Sequence, residues 1–203
     1  KHILVAGSLP TQQIVYFSKR VADDKEIFNG FNETANILNP NVDLFYLDVL
    51  SSINEIKIAC EAIKNLKKPI LIGVHLNKKG YLPSGETIED LIPITNNYNC
   101  CGIIAACVSP EIVNLVIPKL ANQNLPFGFK VNAFKDISED NPLDADSNYN
   151  GYPTERYGTR ANEFNPKVFK KFVESKLKDG ATLLGGCCEI KPRHIRAVKK
   201  IIN

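Results

Sequence analysis

One unit recurs along the whole chain and limits the folds open to it: a short continuous apolar run, a turn marked by glycine or proline, then apolar residues at helical spacing. A run that is apolar throughout, rather than at alternate positions, fits a strand buried on both faces, as a parallel sheet requires. Such runs occur at residues 3–7, 44–47, 69–76, 101–106, 127–131 and 181–184. Between them, helices are expected at 25–38, 54–66, a short stretch after Thr87 ending near Thr95, 110–121, 165–177 and 192–202. Six strands alternating with helices make an α/β fold with a parallel sheet and right-handed crossovers. Periodicity alone leaves open whether that sheet closes as a barrel or stays open and doubly wound.

At 203 residues and 44% hydrophobic, the chain suits one domain with a sizeable core. A net charge of +3, from 25 basic and 22 acidic residues, gives no footprint for nucleic acid. No apolar run has the length of a membrane span, and no signal-peptide pattern opens the sequence. Six cysteines in a chain of this size do not make a small disulfide-stapled domain. Free thiols or a metal site in a reducing, cytoplasmic setting are expected instead. The sequence holds no methionine, and Lys1 stands almost directly before an apolar run, so a piece of a longer chain is expected.

The chemistry concentrates in residues 183–195, where an apolar run breaks at Gly185-Gly186, two cysteines follow, and Pro192 starts a helix. Cys187 and Cys188 therefore emerge at the carboxyl end of a strand, where α/β proteins carry their chemistry. Adjacent cysteines are poorly placed to bridge each other. Cys107 repeats the pattern: an apolar strand, a cysteine at its end, then Pro110 opening a helix. Three thiolates converging on one rim would hold a zinc ion with one position left open. The plainer alternative is that Cys187 and Cys188 pack behind a strand end. Cys60 falls on the apolar face of its helix and reads as core. Cys100 and Cys101 precede their strand, at the opposite rim, and make poor ligands.

The pairing of Cys107-Val-Ser-Pro110-Glu111 with Gly185-Gly186-Cys187-Cys188 and Pro192-Arg193-His194-Ile195 resembles the homocysteine S-methyltransferase family. That resemblance implies a (β/α)8 TIM barrel, here incomplete, with residues 1–203 forming a single domain that supplies strands three to eight and lacks the first two βα units. It implies zinc as cofactor, Cys107, Cys187 and Cys188 as its ligands, and homocysteine and a small methyl donor as partners, with methionine as product. Betaine, S-methylmethionine and methylfolate are all donors within the family. Asp48 stands where the family usually has a glutamate holding the homocysteine amino group, and Val49 where threonine follows it. Ala106 replaces an asparagine beside the cysteine, and Glu189 a small residue after the cysteine pair. Asn132 matches the asparagine of a Pro-Asn element, with Val131 in place of the proline; it either touches substrate or caps a loop. Gly7-Ser8-Leu9-Pro10 and Ser84-Gly85-Glu86-Thr87 match family turns.

His75 and His194 read as packing residues, His194 in the first turn of the last helix. The polar stretch from Asp136 to about Asn165 is long for a loop in a compact domain, and such loops are functional or disordered. Its tyrosines, Tyr149, Tyr152 and Tyr157, would suit a cationic donor by cation–π contact. Two other readings stand beside the enzyme: an inactive fragment or binding module retaining the thiol rim, and vicinal-dithiol redox chemistry. Missing strands would leave apolar edges bare at residues 3–7 and 181–184, and a neighbouring chain in an oligomer would cover them.

Overall fold

The computed structural model describes residues 3–13, 22–137 and 152–202. Among the described residues, six strands form one sheet in chain order, every neighbouring pair parallel. They are β1 (Ala6–Pro10), β2 (Leu44–Leu50), β3 (Ile70–Val74), β4 (Cys100–Val108), β5 (Phe127–Val131) and β6 (Leu183–Gly186). The helices between and after them are α1 (Asp24–Leu38), α2 (Ile53–Ile63), α3 (Ile92–Asn97), α4 (Pro110–Leu120), α5 (Pro153–Tyr157), α6 (Pro166–Lys178) and α7 (Pro192–Lys199). The sheet curls into a half-barrel, the incomplete βα barrel that the sequence led us to expect. Side chains at alternate positions separate its two faces. On β4, Ile103 and Ala105 join Phe31, Phe45, Phe129 and Phe169 between sheet and helices, while Ile104 and Ala106 point to the concave face.

Local chemistry sets the helix starts. Asp23 and Glu26 form a capping box at α1, Ser52 and Ser109 accept from the first turns of α2 and α4, and Asn165 caps α6 ahead of Pro166. A distinct tie holds the turn after β1. Glu55 in α2 is buried, yet accepts from the Thr11 hydroxyl at 2.7 Å and the Gln12 N–H at 2.7 Å. Burial raises its pKa above the ordinary carboxylate range, although the bonds from Thr11 and Gln12 oppose the rise. A carboxyl whose folded pKa lies above its unfolded one stabilises the fold at low pH, and that contribution is lost as pH rises through the folded value. Glu55→Gln keeps the shape and cannot ionise. Its melting temperature is therefore expected to gain on the parent as pH is raised from 4 through neutrality, read by calorimetry across a pH series; a difference that stays flat with pH would refute the assignment.

Both edge strands depart from the expected positions. The first begins at Ala6, not residue 3, because Val5 exchanges hydrogen bonds with Asp43 in the turn before β2 and the ladder starts only at Ala6 opposite Leu44. Ile3, Leu4 and Val5 are consequently exposed, at 82, 64 and 51%. The last strand spans Leu183–Gly186, so it runs through the glycine pair that was expected to end it. Gly185 and Gly186 pair with Lys130 and Val131 of β5. All four β6 residues are only partly buried, as an edge strand's are. Within the long polar stretch, α5 and an isolated bridge from Phe134 to Thr159 fasten the described part, with Tyr157 packed on Phe134 at a ring separation of 5.4 Å. Tyr149 lies outside the described residues, and Tyr152 is exposed. No helix among the described residues is long and apolar enough to cross a membrane.

Candidate metal centre

Strict alternation along β4 would aim Cys107 at the helices, on the same side as Ile103 and Ala105. A bulge prevents this. The register against β5 slips between Ala106 and Val108, and Cys107 takes φ +53°. The inserted residue turns Cys107 to the concave face beside Ile104 and Ala106, and Val108 resumes the helix side. A left-handed conformation costs a non-glycine residue about 1–2 kcal/mol. Asn132, itself buried, holds it in place. Its Nδ2 donates to the Cys107 carbonyl at 2.7 Å and lies 3.8 Å from the sulfur, while its Oδ1 accepts from the Phe134 N–H at 3.1 Å. β2 carries the same device, with Val49 at φ +61° and a register slip between Leu47 and Leu50.

Cys187 and Cys188 follow β6 in a turn that main-chain bonds close on both sides. The Cys187 N–H donates to the Val131 carbonyl at 2.7 Å, the Ala133 N–H to the Cys188 carbonyl at 3.0 Å, and the Ile190 N–H to the Cys187 carbonyl at 3.1 Å. Gly186 is required here, because a Cβ would stand 2.2 Å from the Ile190 side chain that folds over it. His194 anchors the far end. The Lys191 N–H donates to its Nδ1 at 2.9 Å, which leaves the Nε2 proton to donate to the Phe164 carbonyl at 3.1 Å, and the ring meets Phe169 edge-on. His194 is thus a buried structural residue that locks α7 onto α6.

The three sulfurs converge, all within 4.8 Å of one another. Cys188 Sγ lies 3.8 Å from both Cys107 Sγ and Cys187 Sγ, and Cys187 Sγ lies 2.9 Å from Cys107 Sγ. Thiolates bound tetrahedrally at the usual zinc–sulfur length of about 2.3 Å stand about 3.8 Å apart. Two of the three separations match that value, and the third needs to open by under about 1 Å. β4 and β6 are not neighbours, so it is the curl of the sheet that brings these sulfurs together. The Cys187 thiol is held well below its ordinary range by hydrogen bonding with Cys107 and Cys188 and by the Lys130 ammonium. The Cys107 thiol is pushed far above its ordinary range by hydrogen bonding with Cys187 and Cys188 and by burial. The cluster therefore already favours one thiolate, and a bound cation would displace the remaining protons. This donor set fits zinc.

Asp48 also faces the concave side, but its carboxylate is engaged. Lys130 of β5 reaches Asp48 Oδ1 at 2.5 Å, with the ammonium 5.0 Å from the centre of the Tyr46 ring. Burial first, and then the Asp48 carboxylate, push the Tyr46 hydroxyl far above its ordinary range, so it stays protonated. The sequence carries one signal for Lys130, a lone lysine inside the apolar run Phe127–Val131, since burying a charge demands a partner. His75, just beyond β3, is buried, and burial lowers its pKa to about 4, so it is neutral near pH 7. Cys60 is fully buried in α2 against Cys100 at the amino end of β4, away from the cluster, as expected. A cleft of about 660 Å3 opens beside Cys107, lined by His75, Asn132 and Lys135 among others. Its carboxylates Asp136 and Glu111 are paired with Lys78 and Arg160.

A curled parallel βα sheet with three thiols gathered at its carboxyl rim defines a class: βα-barrel proteins with a cysteine cluster able to hold a metal ion. The family model for homocysteine S-methyltransferase matches residues 1–202. The chain belongs to the homocysteine S-methyltransferase family. It is 22% identical over 176 residues to Homocysteine S-methyltransferase 2 of Saccharomyces cerevisiae, covering 81% of this chain and 49% of the yeast protein. It also superposes on the homocysteine methyltransferase MmuM from Escherichia coli. In the apo form the TM-score is 0.68 at 18% identity, over 98% of this chain and 62% of that one; in the metallated form it is 0.66 at 17%, over 92% and 55%. The chain thus spans about half the length of its curated relative.

Proposed function

We propose that the protein is a zinc-dependent methyltransferase that moves a methyl group from a small donor to the thiol of homocysteine, forming methionine. The observation that carries this reading is the convergence of Cys107, Cys187 and Cys188 on the concave rim, in a chain of this family. A free aliphatic thiol is mostly protonated near pH 7 and is a poor nucleophile in that form. Zinc, held by Cys107, Cys187 and Cys188, would supply positive charge that favours the thiolate form of the substrate, and the cysteinate donors would keep that sulfur electron-rich. The remaining work falls to the chain. The bulge and Asn132 fix Cys107, and the Gly186 turn and His194 fix the cysteine pair. Asp48 supplies a carboxylate for the amino group of homocysteine. Neutral His75 adds no charge to compete with the metal. The methyl passes in one displacement, the new sulfur–carbon bond forming as the donor's bond to that carbon breaks, so no protein nucleophile carries it.

The test is methionine formation by the full-length protein from homocysteine with betaine, S-methylmethionine or methylfolate in turn. Activity with one donor is expected, lost on treatment with a chelator and restored by zinc. Turnover indifferent to chelation, or metal-loaded protein that leaves homocysteine unmethylated with every donor, would sink this reading. A reducing cytoplasmic setting follows from it, since the three thiols must stay unoxidised to bind metal.

A further inference from the structure

The pair of Asp48 and Lys130 carries a further inference, which rests on the reading just given. β5 runs Phe-Gly-Phe-Lys-Val, and the sheet buries every one of these residues except the lysine. Its strand partners on either side are Ala106 and Gly185, two of the smallest residues, which leaves the concave face open around its side chain. Asp48 lies on β2, three strand spacings away, which is about 14 Å in a flat sheet. The 2.5 Å contact therefore spans the hollow of the half-barrel from wall to wall. Both side chains keep about a fifth of their surface exposed, 21% for Lys130 and 22% for Asp48, so a solute can reach the pair. The thiol cluster stands beside it, because Lys130 pairs directly with Ala106 and Gly185, the residues next to Cys107 and Gly186.

A thiol amino acid presents the same two charges on one carbon. If it enters between Asp48 and Lys130, one ion pair becomes two and the net charge of the site is unchanged. A thiol with an ammonium alone takes Asp48 and strands Lys130, while one with a carboxylate alone takes Lys130 and strands Asp48. Each leaves a partly buried charge unpaired, which costs free energy. We propose that Asp48 and Lys130 form a pre-paired receptor for the amino-acid end of the thiol substrate, with Asp48 taking the ammonium and Lys130 the carboxylate. The sulfur then points to Cys107, Cys187 and Cys188. Lys130 is on this view a specificity-determining residue, and the substrate class is a zwitterionic thiol.

The experiment uses full-length protein loaded with cobalt(II), whose thiolate absorption band reports sulfur binding without any methyl transfer. Three thiols of matched length are titrated: homocysteine, 4-mercaptobutanoate and 3-aminopropane-1-thiol. Homocysteine is expected to bind at least about tenfold more tightly than either single-charged analogue. Lys130→Met is expected to weaken homocysteine and 4-mercaptobutanoate by about tenfold or more and to leave 3-aminopropane-1-thiol unchanged or tighter, since Asp48 is then free. Lys130→Arg should restore the parental order. If Lys130→Met fails to load cobalt, Lys130→Gln takes its place. Tighter homocysteine binding in Lys130→Met, or equal binding of all three thiols by the parent, overturns the receptor while leaving the methyltransferase reading intact. If no thiol moves the cobalt band of the parent, the methyltransferase reading falls, and the receptor with it.

Discussion

Cys107→Ala is expected to lower zinc affinity by about 10²- to 10³-fold and to leave the fold standing. Structural zinc sites of four ligands bind with roughly 10–16 kcal/mol, so one thiolate accounts for about 3–4 kcal/mol of it. The substitution removes a single buried sulfur from a residue whose main chain is held by the Asn132 amide, and alanine keeps that bond. Competition with a chromophoric chelator measures the affinity, and far-UV circular dichroism checks the fold. The same loss is expected for Cys188→Ala, whose sulfur is equidistant from the other two. Cys60→Ala, by contrast, should bind zinc like the parent, since its thiol lies at the other end of β4. Equal zinc binding by Cys107→Ala and the parent would remove the metal centre.

The second large effect is expected far from any ligand. A methyl group at Gly128 would stand 1.7 Å from the Leu183 carbonyl oxygen on the neighbouring strand, a separation that no rotation of a side chain can relieve. Gly128→Ala must therefore push β6 away from β5. Overpacking of this kind costs about 1–3 kcal/mol and occasionally more, or a drop in melting temperature of about 2–12 °C for a chain of this size. Because the Cys187 N–H is hung on the Val131 carbonyl across that same pairing, metal binding should weaken together with stability. Gly185→Ala is the matched control. Its Cβ would have no neighbour nearer than 3.5 Å, ordinary contact, so a change within about 1 kcal/mol is expected. If Gly128→Ala melts with the parent, the tight β5–β6 pairing is wrong.

Much of the fold could be read from local pattern, because parallel strands buried on both faces have to be apolar throughout. β5 falls on Phe127–Val131 as the apolar run predicted, and Asn165-Pro166 starts α6 because capping and proline chemistry are local. The edges were less legible. An edge strand has a ladder partner on one side only, so the apolar run at residues 3–7 did not fix where pairing began; the hydrogen bonds between Val5 and Asp43 did. The glycine pair misled for a related reason. Glycine weakens a strand by its freedom but does not forbid one, and the pairing of Gly185 and Gly186 with β5 outweighs that preference.

At the site, the sequence by itself determined the ingredients: three cysteines, each after an apolar run and before a proline-started helix, and a turn that needs Gly186. It also determined that Cys60 and His194 would be packed, since helical spacing and a place in a first turn are local facts. What only the tertiary structure decided is the direction of Cys107 and the company of Asp48. Alternation along β4 sends Cys107 toward the helices, and the one-residue bulge at φ +53°, held by Asn132 just past the end of β5, sends it to the concave face instead. Asp48 reads as an open carboxylate until the curl of the sheet brings Lys130 to it from three strands away. Both outcomes depend on main-chain pairing and sheet curvature, which arise between strands, and no window along the chain contains them.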